Sequence, residues 1–172
     1  MKKIQVGIFL GSDSDIVIMS KACEVLEEFN ISYKIIISSA HRSPDFTVKN
    51  IENFKNLGAK VIIAGAGLAA HLAGAIAAHF PLPVIGVPLK SGALNGVDSL
   101  YSTVQMPPGI PVATVGIDNA KNAGLLAIQI LATSNKLLEK KLIEYKKLLE
   151  EGVRKKSEKL IRIGWKNYSQ VK

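Results

Sequence analysis

Apolar runs of strand length alternate with helix-length amphipathic segments along the first 135 residues. This alternation predicts an α/β protein, a three-layer sandwich in which helices cover both faces of a parallel sheet joined by right-handed crossovers. A second observation points the same way: most of the apolar runs end in a cluster of Gly, Ser, Asp, His, Arg or Lys. Such clusters belong at the carboxyl edge of an open parallel sheet, where ligands bind. A third is composition. Ala and Gly are abundant and aromatics make up only 6%, which suits close helix–sheet packing.

The elements follow in order. Residues 4–10 (IQVGIFL) read as a buried strand. Residues 14–29 read as a helix, because Ile18, Ala22, Cys23, Leu26 and Phe29 recur every three or four positions; Asn30 is its stop. Residues 31–38 (ISYKIIIS) form the second strand. Ser43 followed by Pro44 is an N-cap with proline at the first helical position, and that helix runs to about Leu57 with Gly58 as its left-handed stop. Residues 60–64 (KVIIA) are the third strand, followed by a Gly-rich turn and a small-residue helix to about His79. Residues 83–87 (PVIGV) are the fourth strand; a short helix over 97–106 is expected to be capped by Asp98. Residues 111–116 (PVATVG) are the fifth strand, residues 119–131 a helix, and residues 135 to about 163 a long basic helix. The architecture is of the flavodoxin or Rossmann type: one domain, with a core over about 1–134 and the long helix appended. No repeat, linker or low-complexity segment interrupts it.

Composition excludes several classes. A hydrophobic content of 48% with 21% charged residues is that of an ordinary globular chain. A single cysteine, Cys23, allows no internal disulfide and points to a reducing compartment; its apolar helical setting suggests a buried structural thiol. The start, Met1-Lys2-Lys3-Ile4, runs straight into a strand without a signal-peptide core, and no apolar run reaches membrane-spanning length. A cytoplasmic protein with no membrane partner is expected. The net charge of +8 is uneven: residues 1–135 carry 10 Lys/Arg against 9 Asp/Glu, and residues 136–172 carry 12 against 5. The excess in the tail reads as the solvated face of an amphipathic helix rather than as a nucleic-acid contact.

The polar clusters define a candidate site. Gly11 to Asp15 follow the first strand, Ser39, His41 and Arg42 the second, Gly65, Gly67 and His71 the third, and Lys90, Ser91 and Asn95 the fourth. In a parallel sheet all four turns share one edge. The run Ser12-Asp13-Ser14-Asp15 is either a helix cap or a phosphate cradle at a helix N-terminus. Asp15 could accept bonds from ribose hydroxyls or interact with that N-terminus. Arg42 beside a hydroxyl-rich turn suits a bidentate phosphate clamp. His41, in the adjacent position, is placed for proton transfer near neutrality. His71 could donate to a ligand or bond backbone carbonyls, while His79, before Phe80-Pro81, reads as structural. No H-x-x-x-H, C-x-x-C, dinucleotide or Walker pattern is present, so neither a metal site nor ATP use is suggested.

The motifs GSDSD, SAHRSP, VIIAGAGLAAHLAG, LPVIGVPLKSGALNGVDSLYSTVQMPPGIPVATVGI and NAGLLAIQIL together closely resemble the N5-carboxyaminoimidazole ribonucleotide mutase family of purine biosynthesis, in its bacterial branch. The resemblance runs almost unbroken from about residue 4 to 131. It implies a flavodoxin-like five-stranded sheet, a homo-octamer, and conversion of N5-carboxyaminoimidazole ribonucleotide to its 4-carboxy isomer without metal or organic cofactor. By the same resemblance, Ser12, Ser14 and Asp15 match the first binding turn and Ser39 and Arg42 the phosphate side. His41 matches the general acid/base, and Ala66, Gly67 and His71 match the loop around the base and migrating carboxylate.

Three positions depart from the family pattern. Leu68 stands where a second glycine is usual, Ala73 where proline is usual, and Ile16 where an aromatic is common. Leu68 adds bulk beside the expected carboxylate pocket, and leucine holds a positive φ only at a cost. Two other readings follow from the same residues: a direct carboxylase drawing on free CO2, and a non-catalytic phosphoribosyl-nucleotide binder.

Overall fold

The computed structural model describes residues 3–168. Its chain divides into two compact units, Met1–Leu131 and Ala132–Lys172. In the first, five parallel strands form one sheet: β1 (Val6–Leu10), β2 (Tyr33–Ile37), β3 (Val61–Gly67), β4 (Val84–Leu89) and β5 (Ala113–Thr114). Their order is β2-β1-β3-β4-β5, the flavodoxin-like order, which reverses direction between β1 and β3. The connecting helices are α1 (Ile16–Glu28), α2 (Pro44–Asn56), α3 (Leu72–His79), α4 (Val97–Val104) and α5 (Ala120–Ala132).

Side-chain alternation along the strands sorts the helices between the two faces. Phe9, Ile62, Ala64 and Val84 pack with Ile51 and Phe54 of α2 and with Leu72, Ala73 and Ile76 of α3. The rings of Phe9 and Phe54 meet at 4.9 Å. On the opposite face, Met19 of α1 lies so close over Gly65 that any side chain there would strike its sulfur. Gly124 of α5 faces the Ala22 carbonyl of α1, leaving 3.1 Å to where a Cβ would stand. The small residues conspicuous in the sequence therefore serve close approach of helix to strand and of helix to helix.

Several element boundaries differ from those predicted. The first helix is entered through a 3-10 turn, Asp13–Asp15. β3 runs on through Gly65, Ala66 and Gly67, because β4 extends to Leu89 and gives Ala66 and Gly67 partners at Pro88 and Leu89. Small residues have low strand propensity and read as a turn. β5 shrinks to two residues, pairing only with Ile85 and Gly86 at the sheet edge, next to a Pro-rich approach whose prolines donate no ladder bonds. Asp98 is not the cap of α4: Gly96, at φ 89°, holds that position and Asp98 lies in the first turn. Asn30 (φ 59°) and Gly58 (φ 97°) do end α1 and α2 in the left-handed region. Cys23 is half-buried rather than buried, and burial raises its thiol pKa, which keeps it a poor nucleophile at neutral pH.

The second unit is dominated by α6 (Lys136–Tyr168), whose backbone leaves helical geometry at Gly164. Two ion pairs along it, Lys136–Glu139 at 2.8 Å and Arg154–Glu158 at 3.7 Å, are solvent-exposed, where such pairs add little to stability. Among the described residues, no helix is long and apolar enough to cross a membrane.

Candidate active site

The carboxyl ends of β1, β2, β3 and β4 surround one crevice of about 490 Å³, a size that admits a small organic ligand. The first wall is the β1 turn. Gly11 N–H donates to the Gly65 carbonyl at 2.9 Å, so the turn is anchored to β3 before it leaves the sheet. Within the turn, Ser12 N–H donates to the Asp15 carboxylate at 2.9 Å, and the Ser12 hydroxyl and Ser14 N–H donate to Asp13 at 2.9 and 3.0 Å. The two carboxyls diverge as a result. The Ser12 hydroxyl bond and the Ser14 N–H bond hold Asp13 below the usual carboxylate range. Burial pushes Asp15 above it, so on acidification Asp15 gives up its charge first.

The second wall is the turn between β2 and α2. A buried hydroxyl pair, Ser38 Oγ and Thr47 Oγ1 at 2.8 Å, ties the strand end to the first turn of the helix. Ser43 closes the turn by donating its N–H and its hydroxyl to the Ser39 carbonyl at 2.9 and 3.0 Å. His41 and Arg42 are thereby presented outward from a fixed base. Arg42 reaches across to β1: one Nη donates to the Gly11 carbonyl at 3.2 Å, and Nε donates to Ser39 Oγ at 3.4 Å. The rest of the guanidinium edge remains available to an anion.

The third wall is the end of β3 and the loop after it. Ala66 and Gly67 are still paired to β4. Leu68 adopts φ 55°, the left-handed conformation, which costs leucine about 1 kcal/mol or more. Its side chain is 55% exposed, with a methyl close above Gly92, where a Cβ would come within 2.8 Å. His71 begins α3 with its carbonyl accepting from Ala75 N–H at 2.9 Å. Its imidazole stacks near that of His41, with ring centroids 6.0 Å apart and planes 22° apart.

All nine residues expected at the site line this crevice: Ser12, Ser14, Asp15, Ser39, His41, Arg42, Ala66, Gly67 and His71. Of the β4 turn only Ser91 joins them. Lys90 and Asn95 do not: Lys90 N–H is bound to the Asp118 carboxylate at 2.8 Å, and Asn95 makes a left-handed turn at φ 51°. Ala40, Ala69 and Leu72 contribute apolar wall. Alanine and leucine carry no chemical signature in a sequence, so only topology reveals such positions. His79 is exposed at the far end of α3 and takes no part. Among the described residues no group of three or more His, Cys, Asp or Glu is placed to hold a metal ion.

A doubly wound parallel sheet with a polar crevice at its switch point defines a flavodoxin-like α/β protein with a small-molecule site. Within that class, the chain belongs to the AIR carboxylase family, whose sequence model matches residues 5–152. It is 52% identical over 168 residues to the N5-carboxyaminoimidazole ribonucleotide mutase of Thermotoga maritima, covering 98% of both chains. It is 53% identical over 167 residues to the protein of the same name from Pyrococcus horikoshii, covering 97% of this chain and 94% of the relative. The crystal structure of Treponema denticola PurE superposes with a TM-score of 0.81 at 30% identity, covering 93% of this chain and 98% of that one.

The placement of Arg42 generates a prediction. Arg42→Ala should weaken binding of an aminoimidazole ribonucleotide by about 2–4 kcal/mol, the value of a charge-assisted phosphate contact. The corresponding nucleoside, lacking the phosphate, should bind the variant and the parent alike in calorimetry. Equal losses for both ligands would assign Arg42 to another part of the ligand.

Proposed function

We propose that this chain moves the carboxylate of N5-carboxyaminoimidazole ribonucleotide from the exocyclic nitrogen to ring carbon 4, the mutase step of de novo purine biosynthesis. The observation that carries the reading is the end-to-end match to relatives named for that reaction, at 52% identity over 98% of both chains. The crevice supplies a matching set of groups. Arg42 and Ser39 take the phosphate, and Ser12, Ser14 and Asp15 hold the ribose side. Ala66, Gly67 and His71 surround the base.

The chemistry then needs one proton donor that becomes a proton acceptor. Protonated His41 gives its proton to the exocyclic nitrogen as the N–CO2 bond breaks, leaving aminoimidazole ribonucleotide and CO2. Ring carbon 4 attacks the same CO2, forming the new C–C bond. Neutral His41 removes the proton from that carbon, restoring ring aromaticity and returning the imidazole to its starting state. Holding CO2 beside the ring makes recapture effectively intramolecular, and the apolar wall of Leu68, Ala69 and Leu72 excludes water from the reacting end. Phosphate binding, remote from the reacting atoms, provides the energy that orients the ring. The reaction as written calls on no metal or organic cofactor, and the setting is cytoplasmic.

The deciding experiment supplies carboxylate-labelled substrate with excess unlabelled bicarbonate and assays product early. Retained label is expected. Product carrying mostly unlabelled carboxylate would show exchange with dissolved CO2 and replace the mutase with a direct carboxylase. In the same assay His41→Asn should abolish turnover while nucleotide affinity, read by calorimetry, stays within about tenfold, because the imidazole moves protons and carries little binding energy. Normal turnover in that variant would remove His41 from the mechanism.

The assembly is inferred to be a homo-octamer in which α6 takes part, with residues 1–134 as the catalytic core of a single functional domain. Leu137, Leu148, Leu149 and Val153 of α6 are all more than half exposed in the single chain, an apolar surface that a neighbouring copy would cover. Truncation after Ser134 should lower the mass measured by light scattering. An unchanged octamer would show that α6 contributes nothing to assembly.

A further inference from the structure

Ser91 follows β4 at the one point where the β4 turn meets the crevice. Its hydroxyl is sealed from solvent and has no hydrogen-bond partner among the described residues. Buried hydroxyls are nearly always bonded, and one that is not calls for an explanation. This one occupies the space left by the missing side chain of Gly67: a Cβ there would collide with Ser91 Oγ and stand 3.0 Å from Ser91 Cβ. Alanine at 91 would fill the same wall without a stranded polar atom, so the hydroxyl gains nothing from the fold itself.

Its position explains it. Gly67 and Leu68 line the crevice, on the loop assigned above to the base and the migrating carboxylate. Ser91 is partly exposed to the crevice as a residue while its oxygen points at Gly67. A change of χ1 between staggered rotamers carries Oγ by roughly 2 Å without moving the backbone. We propose that Ser91 is a substrate-positioning residue whose hydroxyl turns into the crevice and donates a hydrogen bond to an oxygen of the migrating carboxylate. The proposal rests on the carboxylate-transfer reading above.

A neutral donor suits that role better than a cation. Breaking the N–CO2 bond disperses the negative charge of the carboxylate. A Lys or Arg at this wall would bind the starting anion more tightly than the separating CO2 and raise the barrier. A hydroxyl fixes the direction of the carboxylate with much less charge preference, keeping the released CO2 facing ring carbon 4 during recapture. Leu68, lodged above Gly92, closes the apolar side of the same pocket.

The test is Ser91→Ala in the full-length protein, read by steady-state kinetics, label retention from carboxylate-labelled substrate in excess unlabelled bicarbonate, and thermal melting. Turnover is expected to fall about tenfold to a hundredfold with KM changed much less. The retained fraction of label should fall with it, because misdirected CO2 escapes more often. The melting temperature should be equal to or above that of the parent, since the hydroxyl makes no bond in the folded protein. Parent-like turnover and label retention would overturn the inference. So would a lowered melting temperature with reduced turnover but unchanged label retention, which would make Ser91 a structural residue. A parent protein that converts no labelled substrate would instead remove the functional reading on which this one stands, and the two failures are therefore distinguishable.

Discussion

The site depends on the register of four parallel strands. Leu10 stands opposite Ile37 on one side and Gly65 on the other, and Gly67 stands opposite Leu89. With that pairing fixed, four chain segments distant in sequence leave the sheet at one edge. A slip of one residue in β1 would exchange Phe9 for Ile8 in the face packed by α2 and α3, and would carry the Ser12–Asp15 turn away from Arg42. The two buried layers, Phe9 with Phe54 on one side and Met19 over Gly65 on the other, make such a slip costly. The hydrophobic core and the crevice are thus two consequences of one alignment.

Tension at the edge is distributed unevenly. The β1 and β2 turns are closed by their own hydrogen bonds, from Ser12 N–H to the Asp15 carboxylate and from the Ser43 hydroxyl to the Ser39 carbonyl. The β3 and β4 turns carry the unfavourable features: leucine at positive φ and a serine hydroxyl without a bond. Strain and unmet polarity concentrate where a structure is held for a purpose other than its own stability. In the proposed reading, the rigid half of the rim holds phosphate and ribose and presents His41, and the strained half lies beside the carboxylate.

Much of this was legible in the sequence because the signals were local. The first four apolar runs, the Ser43-Pro44 start and the Asn30 and Gly58 stops each act within a few residues, and the structure shows each of them. The rule that parallel strands present their carboxyl ends together was enough to gather eight of the nine candidate residues into one crevice; Ala66 was expected only from the family resemblance. What failed was non-local. The extension of β3 into Gly65–Gly67 comes from partners on β4, the shortening of β5 from its place at the edge, and the cap of α4 from a left-handed Gly96 rather than from Asp98. Lys90, Ser91 and Asn95 looked equivalent as a polar cluster. Only the backbone bond from Lys90 to Asp118 and the left-handed turn at Asn95 show why Ser91 alone meets the crevice. Leucine holds a positive φ only at a cost, yet Leu68 adopts one, with a methyl packed over Gly92.

The contact between Gly67 and Ser91 also binds the histories of those two positions. A side chain at 67 meets the Ser91 oxygen, then its Cβ at 3.0 Å, and then the Leu89 carbonyl at 3.3 Å. Alanine at 91 removes only the first obstacle, and glycine at 91 removes the first two. A smaller residue at 91 therefore eases a side chain at 67, and an intermediate that changed 67 first would have to turn the Ser91 hydroxyl away and accept close contacts with the Ser91 Cβ and the Leu89 carbonyl. The room available at 67 is set by what stands at 91.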